Sequence, residues 1–176
     1  APVTKFDPVE SVVLQKTAML AGNVLPMSEE LWEYLRTGLN YLETSGNKYP
    51  PEYRHRGNVA YGALGLTESA VRDVQQRYKA LAGYTSKEVF SQEDVYETFA
   101  RLYADPLLRH YLNINYESML PADVFYCLQK AWFLGPGLYK QGKQVFLSRE
   151  RKTQAFTAAI GFPVTFQAQG MIAHLP

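Results

Sequence analysis

Leu31, Leu35, Leu39 and Leu42 recur at intervals of three and four residues, so one apolar face runs along a helix over 29–44. Ser28 stands ahead of Glu29-Glu30, a capping hydroxyl followed by two acids that suit the positive end of a helix. The pattern fades at Ser45-Gly46-Asn47. Upstream, Asp7-Pro8 reads as a helix start and Val9 to Ala21 as an apolar helix ended by Gly22. Residues 46–61 hold Gly46, Asn47, Pro50, Pro51, Gly57 and Asn58, and are read as a loop without a hairpin signal. Thr67 is placed to cap a helix through Val71, Val74 and Tyr78, reaching about Gly83. Ser91 is placed to cap another through Val95, Phe99 and Leu102, stopping before Pro106. Pro121 opens a helix carrying Phe125, Leu128 and Trp132, which Gly135-Pro136-Gly137 breaks. A last helix is expected from about Ser148 to Gly161-Phe162-Pro163, followed by an apolar, irregular tail from Val164. Six helical segments without an evident linker predict a single mostly α-helical domain over 1–176.

Composition narrows the function classes. Eighteen Lys and Arg against seventeen Asp and Glu leave a net charge of +1, without the basic excess of a nucleic-acid binder. At 47% hydrophobic residues the chain has enough apolar surface to build a core, which argues against disorder. Cys127 is the only cysteine, so an intramolecular disulfide and a cysteine-rich zinc site are impossible. It lies in the apolar run Val124-Phe125-Tyr126-Cys127-Leu128 and is expected to be buried. No apolar run approaches the ~20 residues that span a bilayer, and no stretch has the pattern of a signal peptide.

The usual catalytic signatures are missing. His55, His110 and His174 are not at metal-ligand spacing, so no metal site is expected. The chain has no Gly-x-Ser-x-Gly elbow, no dinucleotide fingerprint and no phosphate loop, and no cofactor is expected. Arg54-His55-Arg56 and Arg149-Glu150-Arg151-Lys152 read as solvated charge clusters. Glu43 is more informative. It follows Leu39 at i+4 and Leu35 at i+8, so it projects near the buried face of its helix. An acid there is costly unless it is paired or protonated. The negative end of the helix dipole also favours the neutral acid, the form that a general acid requires.

Three segments then fall in a telling order: Leu42-Glu43-Thr44-Ser45-Gly46-Asn47, Gly62-Ala63-Leu64-Gly65-Leu66-Thr67-Glu68, and Ala131-Trp132-Phe133-Leu134-Gly135-Pro136-Gly137. Together they resemble the lysozyme-like superfamily, most closely lytic transglycosylases and goose-type lysozymes. The first is similar to the family's Glu-Ser segment, which bears the catalytic acid. The second is similar to its Gly-Ala-x-Gly-Leu-Met-Gln, and the third to its Ala-Tyr-Asn-Ala-Gly-Pro-Gly. Thr67 and Glu68 stand where the family has Met and Gln, and Trp132-Phe133 where it has Tyr-Asn. The resemblance covers residues 31–140.

It implies a mostly α, lysozyme-like domain of the transglycosylase type with a groove for a peptidoglycan glycan strand. Glu43 would be the acid, and then the base, for cleavage between N-acetylmuramic acid and N-acetylglucosamine. Gly62, Ala63, Gly65, Leu66, Trp132, Phe133 and Gly135 would bind the strand. A hydrolytic variant would use a second acid, with Glu68 the better candidate and Asp73 the other. The substrate implies an exported protein. The alternative is a lysozyme-like module without catalysis that binds glycan or a protein partner, and a more distant one is an unrelated helical interaction domain.

Overall fold

The computed structural model describes residues 27–46, 53–55, 58–140 and 147–159. The N-terminal helix expected from Asp7-Pro8 and the tail from Val164 lie outside them. Among the described residues, six α-helices and three short strands give a mostly helical protein. The described residues group into two compact units. One is drawn from residues before Glu29 and from Lys48–Tyr103, the other from Glu29–Asn47 and from Ala104 onward.

In the first unit, β1 (Tyr53–His55), β2 (Asn58–Tyr61) and β3 (Leu66–Thr67) form an antiparallel sheet in the order β1-β2-β3. Arg54 lies opposite Val59, and Tyr61 opposite Leu66. This corrects the reading of 46–61 as a plain loop: strands this short show little alternation, and the surrounding prolines and glycines mask them. Thr67 ends β3 and caps α2 (Glu68–Arg77), its side chain accepting from the Ala70 N–H at 3.2 Å. Val71 and Val74 are buried, as are Leu64 and Leu66.

The chain then turns through Lys79–Leu81, tied down by Gln75, whose Nε2 donates to the carbonyls of Leu81 (3.1 Å) and Tyr84 (2.7 Å). A short α3 (Ser86–Ser91) follows, opened by a capping box in which Thr85 and Glu88 satisfy each other's backbone N–H groups. Ser91 is therefore the last residue of α3, not the cap of the next helix as the sequence suggested. The helix after it, α4, runs Glu93–Pro106.

Pro106 does not stop the chain from coiling. It lacks the N–H that would complete its turn, and a wider π turn over Leu107–Tyr111 follows, closed by Leu112 N–H donating to Leu107 O at 2.9 Å. Leu107 and Leu108 are fully buried in the second unit, which offsets the poorer turn geometry. Beside it, Arg109 Nε donates to Asp105 at 2.9 Å, its guanidinium lies 4.2 Å from the Tyr116 ring centroid, and it pairs with Glu117. Tyr116 Oη donates to the same Asp105 carboxylate. Burial and that hydrogen bond push the Tyr116 hydroxyl's pKa up, while the Arg109 contact holds Glu117 below the ordinary glutamate range.

The second unit is built on α1 (Glu29–Thr44), α5 (Pro121–Lys140) and α6 (Leu147–Ala159). Trp32, Leu35, Leu39 and Leu42 form the buried stripe of α1, close to the leucine pattern read from the sequence. Gly38 lies on the same stripe. A Cβ there would sit 2.6 Å from the Phe125 ring and 2.9 Å from Phe156, so glycine permits the close approach of three helices. Tyr34 joins this aromatic cluster, edge-on to Phe125 with centroids 6.2 Å apart. Cys127 is fully buried in α5, as its apolar setting suggested. The expected break at Gly135-Pro136-Gly137 is a kink: Gly135 has φ 78° and ψ 157°, and the helix resumes to Lys140. That ψ is the extended value that the residue before a proline prefers.

Candidate functional site

Glu43 is the penultimate residue of α1 and is half-buried. Of the two ways to lower the cost of a buried acid, the structure shows pairing. Arg149 Nη2 donates to Glu43 Oε1 at 2.8 Å, with the side chains only 9% and 16% exposed. Arg149 Nε also donates to Gln129 Oε1 at 2.8 Å, and Nη2 to the Gln129 carbonyl at 3.2 Å. The guanidinium lies 4.5 Å from the Phe133 ring centroid. Glu43 from α1, Gln129 and Phe133 from α5, and Arg149 from α6 therefore meet around one cation.

The sequence reading of Arg149-Glu150-Arg151-Lys152 as a solvated cluster needs correction. Arg151 and Lys152 are exposed, but Arg149 is buried together with Thr153 and Phe156. Those three positions follow the helical repeat, and that spacing was the signal available in the sequence. Glu150 turns to α5, where Lys130 Nζ lies 2.6 Å from its carboxylate. Burial, and a hydrogen bond with that carboxylate, push the Tyr126 hydroxyl's pKa up. A seam of polar contacts thus joins α5 to α6 alongside the Glu43 pair. Gln129, fully buried, carried no signal by itself because its hydrogen-bond partner Arg149 lies on another helix.

Trp132 and Phe133 sit on α5, both half-buried, and Gly135 is the kink just beyond them. The second family-like segment is a turn between β2 and β3 in the first unit. Gly62 (φ 74°) and Gly65 (φ 65°) adopt left-handed backbone, and Gly65 N–H donates to Gly62 O at 3.3 Å. Ala63 is half-buried and Leu66 fully buried. The turn is pinned by Tyr96, which motif reading overlooked. Its hydroxyl donates to Tyr61 O at 2.7 Å and accepts from the N–H groups of Leu64 (3.1 Å) and Leu66 (3.4 Å). Tyr61 stacks on Phe90 with centroids 4.3 Å apart.

Glu68 opens α2 and is exposed, where a carboxylate suits the helix dipole. Asp73 pairs with Arg77 one turn along at 3.1 Å. Both belong to the first unit, whereas Glu43 and the Ala131–Gly137 segment belong to the second.

Among the described residues, no cluster of His, Cys, Asp and Glu is placed to hold a metal ion. No helix among them is long and apolar enough to cross a membrane. Compared with known proteins, the chain matches no family, no curated protein and no solved structure.

Proposed function

We propose that this protein is a peptidoglycan-cleaving enzyme of the lytic-transglycosylase kind, acting between N-acetylmuramic acid and N-acetylglucosamine through Glu43. The observation that carries the reading is the meeting of two family-like segments, far apart in sequence, at one cation: Arg149 binds the Glu43 carboxylate and covers the Phe133 ring. Such a carboxyl first gives its proton to the leaving oxygen. It then takes one from the muramoyl 6-hydroxyl as that hydroxyl attacks, closing an anhydro end without a second carboxylate. The exposed placement of Glu68 favours this one-acid scheme over a two-acid hydrolysis. Peptidoglycan lies outside the cytoplasmic membrane, so the reading carries an exported location with it.

The Arg149 contact favours one other reading. A carboxylate engaged by a guanidinium is not a free proton donor, which suits a module that binds glycan without cleaving it. Incubating the protein and its Glu43→Gln variant with purified sacculi separates the two. The enzyme releases soluble fragments with anhydro ends, resolved by mass, and Glu43→Gln loses most of that release, since general acid–base help is worth about 10²–10⁴-fold. Co-sedimentation with sacculi without release would establish the binding module instead. Reducing ends in place of anhydro ends would establish hydrolysis.

A further inference from the structure

The cation at Glu43 is seated from the other side. Arg149 is buried, and its Nε and Nη2 are both committed to Gln129, which has no exposed surface. The Phe133 ring covers its face. Its backbone carbonyl accepts from Thr153 Oγ1 at 2.9 Å, in the interior of α6. The position of the guanidinium is thus fixed by α5 and α6 before the Glu43 carboxylate is considered. Glu43 contributes one oxygen to the arrangement: Oε1 accepts from Nη2 at 2.8 Å. Among the described residues Oε2 takes part in no hydrogen bond or ion pair. A guanidinium usually engages a carboxylate through both oxygens, in a fork. Here the Nε–Nη2 edge is turned to Gln129, and along the other edge only Nη2 reaches the carboxylate.

The geometry points to Arg149 as the positioning residue of Glu43, a one-oxygen clamp seated on Gln129 that leaves Oε2 to give and take the proton. This rests on the reading of Glu43 as the general acid and base. The clamp adds two things to that reading. It holds the carboxyl to one direction, and displacements of about 1 Å at a reacting group cost on the order of 10²-fold in rate. It also places a fixed positive charge where negative charge builds on Glu43 as Oε2 gives up its proton, without reorganisation at that moment. A role for the buried glutamine follows. Its side-chain and backbone oxygens accept from Nε and Nη2, so the Nε–Nη2 edge of the guanidinium cannot close over both carboxylate oxygens.

Two measurements test this, one of them independent of activity. The first follows the Arg149 Nε–H signal by ¹⁵N NMR in the intact protein. A donor held by a buried amide oxygen exchanges slowly with water, so the signal should persist in Glu43→Gln and be lost in Gln129→Met. Loss in Glu43→Gln would show that the carboxylate places the arginine, and would overturn the clamp. The second is the initial rate on sacculi, with kcat and KM from soluble glycan oligomers. Arg149→Ala should lose about 10- to 100-fold, mainly in kcat. Added guanidinium ion at sub-denaturing concentration should restore part of the rate, a rescue that a purely structural role would not give. Should Arg149→Ala not fold, Gln129→Met serves in its place, with a smaller kcat loss expected. Wild-type rates in these variants, with Glu43→Gln inactive, would overturn the proposal while sparing the enzymatic reading. A wild-type protein that digests nothing but keeps the Nε–H signal in Glu43→Gln would sink the enzymatic reading and leave the clamp as a structural device only.

Discussion

Replacing Gly62 by alanine should be among the most damaging single-methyl changes in the first unit. Gly62 has φ 74°, and a left-handed conformation costs a non-glycine residue roughly 1–2 kcal/mol. The added Cβ would also lie 2.7 Å from Tyr96 Cζ and 2.8 Å from its hydroxyl oxygen. That ring cannot step aside cheaply, because it is buried and its hydroxyl joins Tyr61, Leu64 and Leu66. Overpacking of this kind costs about 1–3 kcal/mol, so the two effects together amount to roughly 2–5 kcal/mol. Gly46 supplies the control: its φ is 85°, but nothing lies within 4 Å of a Cβ built there. Gly46→Ala should therefore cost the backbone part alone, about 1–2 kcal/mol. Urea unfolding of the three proteins, with m held equal, reads both values. If Gly62→Ala falls within about 0.5 kcal/mol of the wild type, or costs no more than Gly46→Ala, Tyr96 does not pin this turn.

Further outcomes follow from individual groups. Glu68→Gln should keep most of any sacculus-degrading rate and cost only about 0.3–1 kcal/mol, the worth of an acid at a helix N-terminus. A hundredfold loss of rate with the fold intact would make Glu68 a second catalytic acid. Glu117 is held below its ordinary pKa by Arg109, so the stability it contributes is complete above the ordinary value of about 4.5 and is lost as pH falls through the lowered one. The Tm of Glu117→Gln should lie below wild type at neutral pH and converge with it at strongly acid pH; a gap that widens in acid would reverse the sign. Burial, with the nearby Asp123 adding to it, pushes the Cys127 thiol up to about 12. A disulfide reagent at pH 8 should label Cys127 only after denaturant is added, and labelling of the native protein would refute its burial.

How far the sequence could be read depended on how local each cause is. The stripe of α1 and the Thr67 cap are set within a turn or two, and both were legible. The α3 helix was equally local. Thr85 and Glu88 form a capping box, but at six residues α3 is too short to show a period, and Ser91 drew the boundary instead. The Pro106 turn could not be read locally, because burial of Leu107 and Leu108 by the rest of the unit decides it. The candidate site divides in the same way. Glu43 stood out through its own helix, and Phe133 through its own segment. Arg149 and Gln129 acquire meaning only from each other, across two helices, and in isolation each looked like an ordinary polar residue.

The distance along the chain between Glu43 and Arg149 has a consequence for how the protein is made. Their hydrogen bond joins residues 106 positions apart, and α1 belongs to a unit whose other members begin at Ala104. During synthesis α1 precedes the Lys48–Tyr103 segment of the first unit, yet the helices that cover its apolar stripe come after that segment. At about 5–20 residues per second, roughly 5–20 s pass before Arg149 follows Glu43 out of the ribosome. For that interval Trp32, Leu35 and Leu39 lack the α5 and α6 partners that later bury them, while the first unit can already close. The order of emergence therefore leaves the nascent α1 uncovered while the first unit is made, and the Glu43 site comes together only after that unit's residues have emerged.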